Sequence, residues 1–139
     1  WTGSPPRAWF SSGRKNMQFD QLSHRVIGCA IEVHRVLGPG LLESAYERCL
    51  VRELGLAGIA HEVQKPLPLA YKGVLLDVGY RLDVLVEDTL IIELKAVTAI
   101  EPIHEAQLLT YMRLSGKRRG LLMNFHVALL RDGIRRFVL

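Results

Sequence analysis

Helical spacing of apolar residues dominates the first part of the chain. The apolar positions of the first such stretch lie three or four residues apart, at Leu22, Val26, Ala30, Val33 and Leu37. They predict a helix over 21–37, capped by Asp20 and ended by the Gly-Pro-Gly run at 38–40, because neither Gly nor Pro continues a helix at low cost. A second helix is expected over about 41–54, with Gly55 as its stop.

The period of the apolar residues changes to that of β-strands after residue 58. Strands are expected over 59–71 with a break at its prolines, over 74–86 as one strand or a pair, and over 89–97. The last of these, TLIIELKAV, is almost continuously apolar, which predicts burial on both faces. The remaining elements are a helix from Pro102 to about Ser115, a strand over 120–125, and a hairpin of 127–130 with 134–139 turning at Asp132-Gly133.

The element order ααβββαβ plus a C-terminal hairpin predicts an α/β fold, in the form of an α+β domain with a mixed sheet flanked by helices. The length of 139 residues suits one domain, expected over 17–139. Residues 1–16 are rich in Pro, Ser and Gly and are expected to be a disordered or extraneous tail.

Composition excludes several protein classes. With 49% hydrophobic and 23% charged residues the chain is not of the disordered type, and two cysteines do not make a disulfide scaffold. No apolar run approaches the ~20 residues of a membrane helix, so no membrane partner is expected. No secretion signal is recognisable, and a cytoplasmic location is therefore expected.

The C-terminal quarter is strongly basic. Residues 113–139 hold seven basic residues against Asp132 alone. This imbalance suits a polyanionic partner, and it equally suits a solvated basic face that binds nothing.

Two charged residues interrupt the most apolar strand. Glu93 and Lys95 alternate with apolar neighbours and therefore project from one face of the predicted strand. Burying them is costly unless they pair with each other or bind an ion, so a structural salt bridge is one interpretation. Asp83 on the preceding strand supports the other, because Mg²⁺ binds one or two carboxylates and retains several waters. Lys95 would then orient a water or stabilise charge on a phosphate.

A metal site requires Asp83 and Glu93 to share a face of the sheet. A two-residue turn at Glu87-Asp88 would pair Asp83 with Ile92 and send Glu93 to the opposite face. A three-residue loop over 87–89, or a bulge, would place the two acids on the same face. We therefore expect one of these two devices.

Two further motifs accompany this pattern. Gly40, Glu43 and Tyr46 form a Gly-x-x-Glu-x-x-Tyr motif at the start of the second helix, and Gln107 and Tyr111 share a face of the third. Together with Asp-(x)9-Glu-x-Lys, these motifs resemble those of the GxxExxY family, a branch of the PD-(D/E)XK nuclease superfamily, over about residues 20–139.

The resemblance implies a restriction-endonuclease-like core and a role for each matching residue. Glu43, Asp83 and Glu93 would be the metal-side acids that hold Mg²⁺ or Mn²⁺. Lys95 would be the catalytic lysine, and Gln107 and Tyr111 accessory residues of the site.

The leading hypothesis is thus a metal-dependent nuclease that hydrolyses phosphodiester bonds of nucleic acid, with DNA favoured over RNA. Two alternatives remain open at this point. One is a catalytically silent nucleic-acid-binding module on the same fold, and the other is a protein-interaction module whose charged residues form an ion-pair network. A homodimer is compatible with all three.

Overall fold

The computed structural model describes the backbone of residues 14–139 and the side chains of residues 21–139. Its elements follow one another in this order: α1 (Arg14–Leu37), α2 (Glu43–Leu56), β1 (His61–Pro66), β2 (Leu69–Tyr71), β3 (Val74–Leu76), β4 (Arg81–Val86), β5 (Leu90–Lys95), α3 (Pro102–Ser115), β6 (Arg119–Asn124), a 3-10 turn (Leu130–Gly133) and β7 (Ile134–Val138). Within residues 14–139, no helix combines the length and apolar character that crossing a membrane requires.

Five of the strands form one mixed sheet in the order β1-β4-β5-β6-β7. Only β5 and β6 are parallel, and the connection between them contains α3. The other neighbouring strands of this sheet are antiparallel. Strands β2 and β3 form a separate two-stranded hairpin. The predicted fold class, a mixed sheet flanked by helices with a restriction-endonuclease-like core, is confirmed.

The helices cover the two faces of the sheet. Helices α1 and α2 pack on one face through a core that includes Val26, Tyr46 and Leu50. Helix α3 packs on the other face, where Leu108 and Met112 meet apolar residues of β4, β5 and β6. A Cβ atom at position 120 would lie 2.8 Å from the Met112 sulfur, so glycine on β6 permits this close approach of α3.

Local sequence signals define both ends of helix α3, as predicted. Pro102 occupies its first turn, and Glu101 and His104 form a capping box at its N-terminus. Gly116 ends it in the left-handed conformation with φ of 73°. The predicted break near the prolines of 59–71 is also confirmed, since β1 ends at Pro66 and β2 begins at Leu69.

Three predicted boundaries are wrong. Helix α1 begins at Arg14, so Asp20 lies inside it rather than capping it, and 14–16 belong to the helix. The rest of the predicted tail, residues 1–13, lies outside the described residues. Helix α2 continues through Gly55 to its last residue, Leu56, and Ala57 is its C-cap. Packing of buried Leu54 on the core keeps this last turn helical despite the cost of the glycine.

The predicted C-terminal hairpin is also wrong. Residues 127–129 form no strand, because the carbonyl of Val127 is bound by the His34 ring on α1 at 2.8 Å. Asp132 and Gly133 belong to a 3-10 turn instead of a hairpin turn. Strand β7 pairs antiparallel with β6 instead of with residues 127–130, and it forms one edge of the sheet.

Candidate active site

The turn between β4 and β5 decides which side chains of these strands share a face. Val86 pairs with Leu90, so the loop between them has three residues, Glu87-Asp88-Thr89, as predicted. Glu87 and Asp88 take the left-handed conformation with φ of 52° and 56°, and the amide of Thr89 closes the turn on the Val86 carbonyl. The paired residues end at Val84 and Ile92, and the same register carried one residue further places Asp83 across from Glu93.

Glu93 lies on the face that α3 covers, level with Leu122 of β6, and its carboxyl group is within hydrogen-bonding reach of Asp83. One oxygen of Asp83 accepts a hydrogen bond from the backbone N–H of Leu94 at 3.0 Å, which fixes the carboxylate against β5. Glu93 is only 5% exposed. Burial and the neighbouring Asp83 carboxylate raise the pKa of Glu93 to about 9.

One oxygen of Glu93, Oε2, is buried without a hydrogen-bond partner among the described residues. A buried unsatisfied acceptor costs about 1–3 kcal/mol and calls for an explanation. The other oxygen lies 3.8 Å from the Lys95 ammonium, too far for a direct hydrogen bond. The salt bridge between Glu93 and Lys95 is thus loose and leaves half of the carboxylate unsatisfied.

Lys95 is held from α3. Its Nζ lies 3.4 Å from Oε1 of Gln107, and the amide nitrogen of Gln107 donates to the Tyr111 hydroxyl at 3.0 Å. The side chain of Lys95 is 15% exposed, so its ammonium has little water to compete with these contacts. The structure thus connects Lys95, Gln107 and Tyr111 in one chain of polar contacts that begins beside Glu93.

Glu43 approaches this group from the start of α2. The Tyr46 hydroxyl donates to the Gly38 carbonyl at 2.6 Å and accepts from the Leu41 N–H at 3.1 Å, which fixes the loop before the helix. Its ring also stacks on Phe125 at 4.6 Å. Gly40, with φ of 99°, lets the chain turn within this loop. Tyr46 of the Gly-x-x-Glu-x-x-Tyr motif is therefore a core residue that orients the segment carrying Glu43.

Electrostatics couple Glu43 to the site. Burial raises the pKa of Glu43, and the Asp83 carboxylate raises it further, while the Lys95 ammonium lowers it. Within residues 21–139, however, no three His, Cys, Asp or Glu side chains already lie close enough together to hold a metal ion. Glu43, Asp83 and Glu93 are thus brought to one region without forming a ready set of three ligands.

The residues present still fit a hard divalent cation. Mg²⁺ usually takes one or two protein carboxylates and keeps several waters, so Asp83 and Glu93 alone are a sufficient protein contribution. The orphaned Oε2 of Glu93 is an oxygen that a cation would satisfy. A cation there would also favour loss of the proton that Glu93 holds beside Asp83, because metal binding displaces protons from ligating groups.

Two further residues of this region, Gln64 and Glu47, were not predicted from the sequence. The register of β1 on β4 places Gln64 opposite Asp83, and Gln64 has a positive φ of 52° within its strand. Its amide nitrogen donates to both oxygens of Glu47 at 3.1 and 3.0 Å and lies 3.3 Å from Asp83. Glu47 lies one helical turn after Glu43, a spacing that indicates a shared face of α2.

An open cleft of about 510 Å³ adjoins these residues beyond the end of β5. Its lining comes from the chain just before Glu43, just after Lys95 and from two histidines, and includes Leu41, Val97, Thr98, His104 and His126. Asn124 bonds to both the N–H and the carbonyl of Val97 and thereby fixes one wall. The volume is in the range of small-molecule sites, and none of the six predicted site residues lines the cleft.

The basic C-terminal quarter is spread over the sheet. Lys117 pairs with Asp88 at 3.0 Å, and Arg119 pairs with Leu90 at the start of β5, about 16 Å of strand from Lys95. Arg135 lies closer to the site, because it pairs with Leu122 of β6, which in turn pairs with Glu93. Its side chain forms an ion pair with Glu105. A polyanionic partner of this segment stays a prediction.

Comparison with known proteins adds one finding. No curated protein and no solved structure matches the chain. A family model described as the PD-(D/E)XK nuclease superfamily matches residues 20–137, which include all five strands of the sheet except the last residue of β7 and all the predicted site residues. The chain therefore belongs to the PD-(D/E)XK nuclease superfamily.

Proposed function

We propose that this protein is a metal-dependent nuclease of the GxxExxY branch that hydrolyses phosphodiester bonds, with DNA as the preferred substrate. One observation carries the proposal. A buried glutamate with an unsatisfied oxygen lies beside a second carboxylate and 3.8 Å from a lysine that α3 holds in place. A purely structural network would satisfy its buried atoms, whereas here one oxygen of Glu93 has no hydrogen-bond partner among the described residues and Lys95 is only loosely paired with the other.

Asp83 and Glu93 would hold Mg²⁺ or Mn²⁺, with Glu43 binding through water. The cation, when bound, supplies a Lewis acid that activates a water and polarises the scissile phosphate. Asp83 is oriented for this role by the Leu94 N–H, which fixes one of its oxygens. The position of Glu93 is set instead by the buried apolar residues of β5 on either side of it.

Lys95 supplies the protein's own positive charge. Gln107 holds its Nζ, and Tyr111 holds Gln107, so the ammonium is positioned before substrate binds. A positioned cation next to the reacting phosphate stabilises the negative charge that develops in the transition state. It also offers N–H donors that orient the attacking water.

The decisive experiment incubates the purified full chain with labelled single- and double-stranded DNA and RNA, in Mg²⁺, in Mn²⁺ and in EDTA. We expect cleavage of DNA in either cation and none in EDTA. Lys95→Ala serves as the inactive control and Lys65→Ala as the matched one, because Lys65 is half-buried on β1 and pairs with Glu62. Metal-dependent binding of DNA without any cleavage would instead identify a catalytically silent module. Failure of calorimetry to detect Mg²⁺ or Mn²⁺ binding would leave an ion-pair network as the better account.

A further inference from the structure

The most unusual surface of the molecule is the β2–β3 hairpin, residues 69–76. Leu69 pairs with Leu76 and Tyr71 with Val74, so these four side chains share one face, while Ala70 and Leu75 share the other. Apart from the half-buried Leu69, all of its side chains are exposed, with Leu75 70% and Tyr71 59% exposed. The hairpin is therefore apolar on both faces and covered on neither.

The exposed apolar residues of this hairpin contribute little to its stability, because they are not buried. A two-stranded hairpin without a packed face is marginally stable in water, and contiguous exposed apolar surface marks a binding site. The turn at its tip, Lys72-Gly73, has two positive φ values of 48° and 80°, as a tight hairpin turn requires. The fold thus maintains a projecting apolar surface that has no partner within the described residues.

The base of the hairpin is continuous with the candidate active site. Tyr80, 41% exposed, lies with its ring 5.8 Å from the ring of Tyr111, which contacts Gln107. Strand β4 starts at Arg81, directly after Tyr80, and carries Asp83 two residues later. Three residues of strand take the tip about 10 Å beyond this base.

The charge and the rings of this surface favour one kind of occupant. Residues 69–76 contain Lys72 and no acidic residue. The Lys72 ammonium lies 5.4 Å from the Tyr71 ring centroid, so the tip presents a cation together with an aromatic face. Nucleic-acid bases stack on aromatic side chains, apolar side chains intercalate between bases, and nearby cations contact the phosphates.

We propose that the β2–β3 hairpin binds unstacked bases of a nucleic-acid strand and leads that strand past Tyr80 to Lys95 and Glu93. The inference rests on the proposed nuclease function and adds a substrate class, namely strands with unpaired bases such as single strands and frayed ends. Tyr71 would stack on a base near the tip, and Tyr80 would contact the strand at the base of the hairpin. The aliphatic residues between them would keep the bases apart.

The test measures binding in EDTA, where cleavage is absent. Fluorescence anisotropy with a labelled single-stranded thymidine 12-mer and with a blunt duplex of mixed sequence gives two dissociation constants. We expect Tyr71→Ala to weaken single-strand binding about tenfold and duplex binding much less, and Leu75→Ser to act in the same direction. Leu56→Ser is the matched control, because Leu56 is 64% exposed at the far end of α2 from Glu43. Thermal melts of each variant confirm that the fold is retained.

The outcomes separate the two proposals. Cleavage by the wild type, with both hairpin variants binding and cutting like the wild type, would overturn the hairpin proposal and leave the nuclease. Weaker single-strand binding by the variants without cleavage by any form would support the hairpin and refute the nuclease. A wild-type dimer that Leu75→Asp converts to a monomer would assign the surface to a second copy and overturn the proposal. Equal affinity of all forms for the 12-mer, or no binding at all, would overturn it as well.

Discussion

The strand pairs β4–β5 and β2–β3 depart from the usual distribution of residues in opposite ways. In β4–β5, the charged residues Asp83, Glu93 and Lys95 lie among the most buried apolar residues of the sheet. In β2–β3, apolar residues such as Leu75 lie where water reaches them from both sides. Each arrangement is unfavourable for the isolated chain, because a buried carboxylate lacks a partner in one and apolar surface lacks cover in the other.

Each region has a binding capacity that the described residues leave unused. Proteins tend to depart from local folding rules at functional sites and to offset the cost elsewhere in the structure. On the proposed function, a divalent cation would complement the buried acids, and on the further proposal the bases of a strand would complement the hairpin. The contact between the Tyr80 and Tyr111 rings would then make the two regions the ends of one substrate path.

The largest effect should come from the buried region. Lys95→Ala should lower cleavage about 10²–10³-fold, since it removes the charge that stabilises the transition state. Metal affinity should remain near that of the wild type, because Lys95 contacts Glu93 only at 3.8 Å and is not a metal ligand. Single-turnover cleavage assays and calorimetry with Mn²⁺ measure the two quantities separately. Equal losses of cleavage and metal binding would show that Lys95 orders the acids instead.

A smaller effect is expected from Gln64, which bridges Glu47 and Asp83 without carrying charge. Gln64→Gly should lower metal affinity about tenfold, since partners of ligating carboxylates contribute about 10–100-fold. Stability should change little, because the relief of strain at a φ of 52° offsets the extra entropy that glycine gives the unfolded chain. Calorimetry measures the metal affinity and thermal melts measure the stability, with Gln21→Ala on α1 as a control. A loss of stability with unchanged metal affinity would make Gln64 a structural residue.

Part of this site could be predicted from local sequence, and Gln64 shows why part could not. The shared face of Glu93 and Lys95 follows from strand geometry alone. The three-residue loop over 87–89 was one of two devices expected from the requirement that Asp83 and Glu93 share a face. Glutamine, by contrast, has no intrinsic tendency toward positive φ, so nothing in the sequence marks Gln64. Its conformation depends on Glu47 and Asp83, which come together only when α2 packs near β1.

The elements of the fold divide in the same way, into those that local signals predict and those that depend on tertiary contacts. Helix α3 was predicted with its ends, because Pro102 and Gly116 are local signals that no tertiary contact opposes. The Asp132-Gly133 dipeptide is an equally strong local signal for a hairpin, yet the bond between His34 and Val127 draws the preceding segment to α1. A contact across 93 residues thus outweighs a turn preference, and no local pattern reveals it.

The protonation of Glu93 should have a moderate effect on the free energy of unfolding. Its pKa of about 9 lies far above the ordinary value of 4.5, so the folded protein holds a proton that the unfolded chain releases. Stability in EDTA should therefore fall as pH rises from about 4.5 toward 9. Glu93→Gln should remove this slope and raise the free energy of unfolding at pH 8 by about 1–3 kcal/mol.

Urea titrations between pH 5 and 8 test this expectation, with the exposed Glu62→Gln as a control that should keep the wild-type slope. Mn²⁺ should raise the melting temperature of the wild type and of Glu62→Gln, but not that of Glu93→Gln. A destabilised Glu93→Gln that melts at the same temperature with and without Mn²⁺ would return Glu93 to the role of a structural ion-pair partner.

The smallest effect is expected in the hairpin, and a pair of leucines measures the contrast directly. Leu75 is 70% exposed on β3, whereas Leu85 is 1% exposed on β4. Leu85→Ala should cost about 2–5 kcal/mol, because it leaves a cavity between the sheet and α3. Leu75→Ala should change stability by less than about 0.5 kcal/mol, since no side chain packs on it. Urea unfolding at several protein concentrations measures both variants. If Leu75→Ala costs more than about 1 kcal/mol and the wild-type midpoint rises with concentration, the hairpin is buried against a second copy. The opposition between a buried polar site and an uncovered apolar surface would then hold only for the monomer.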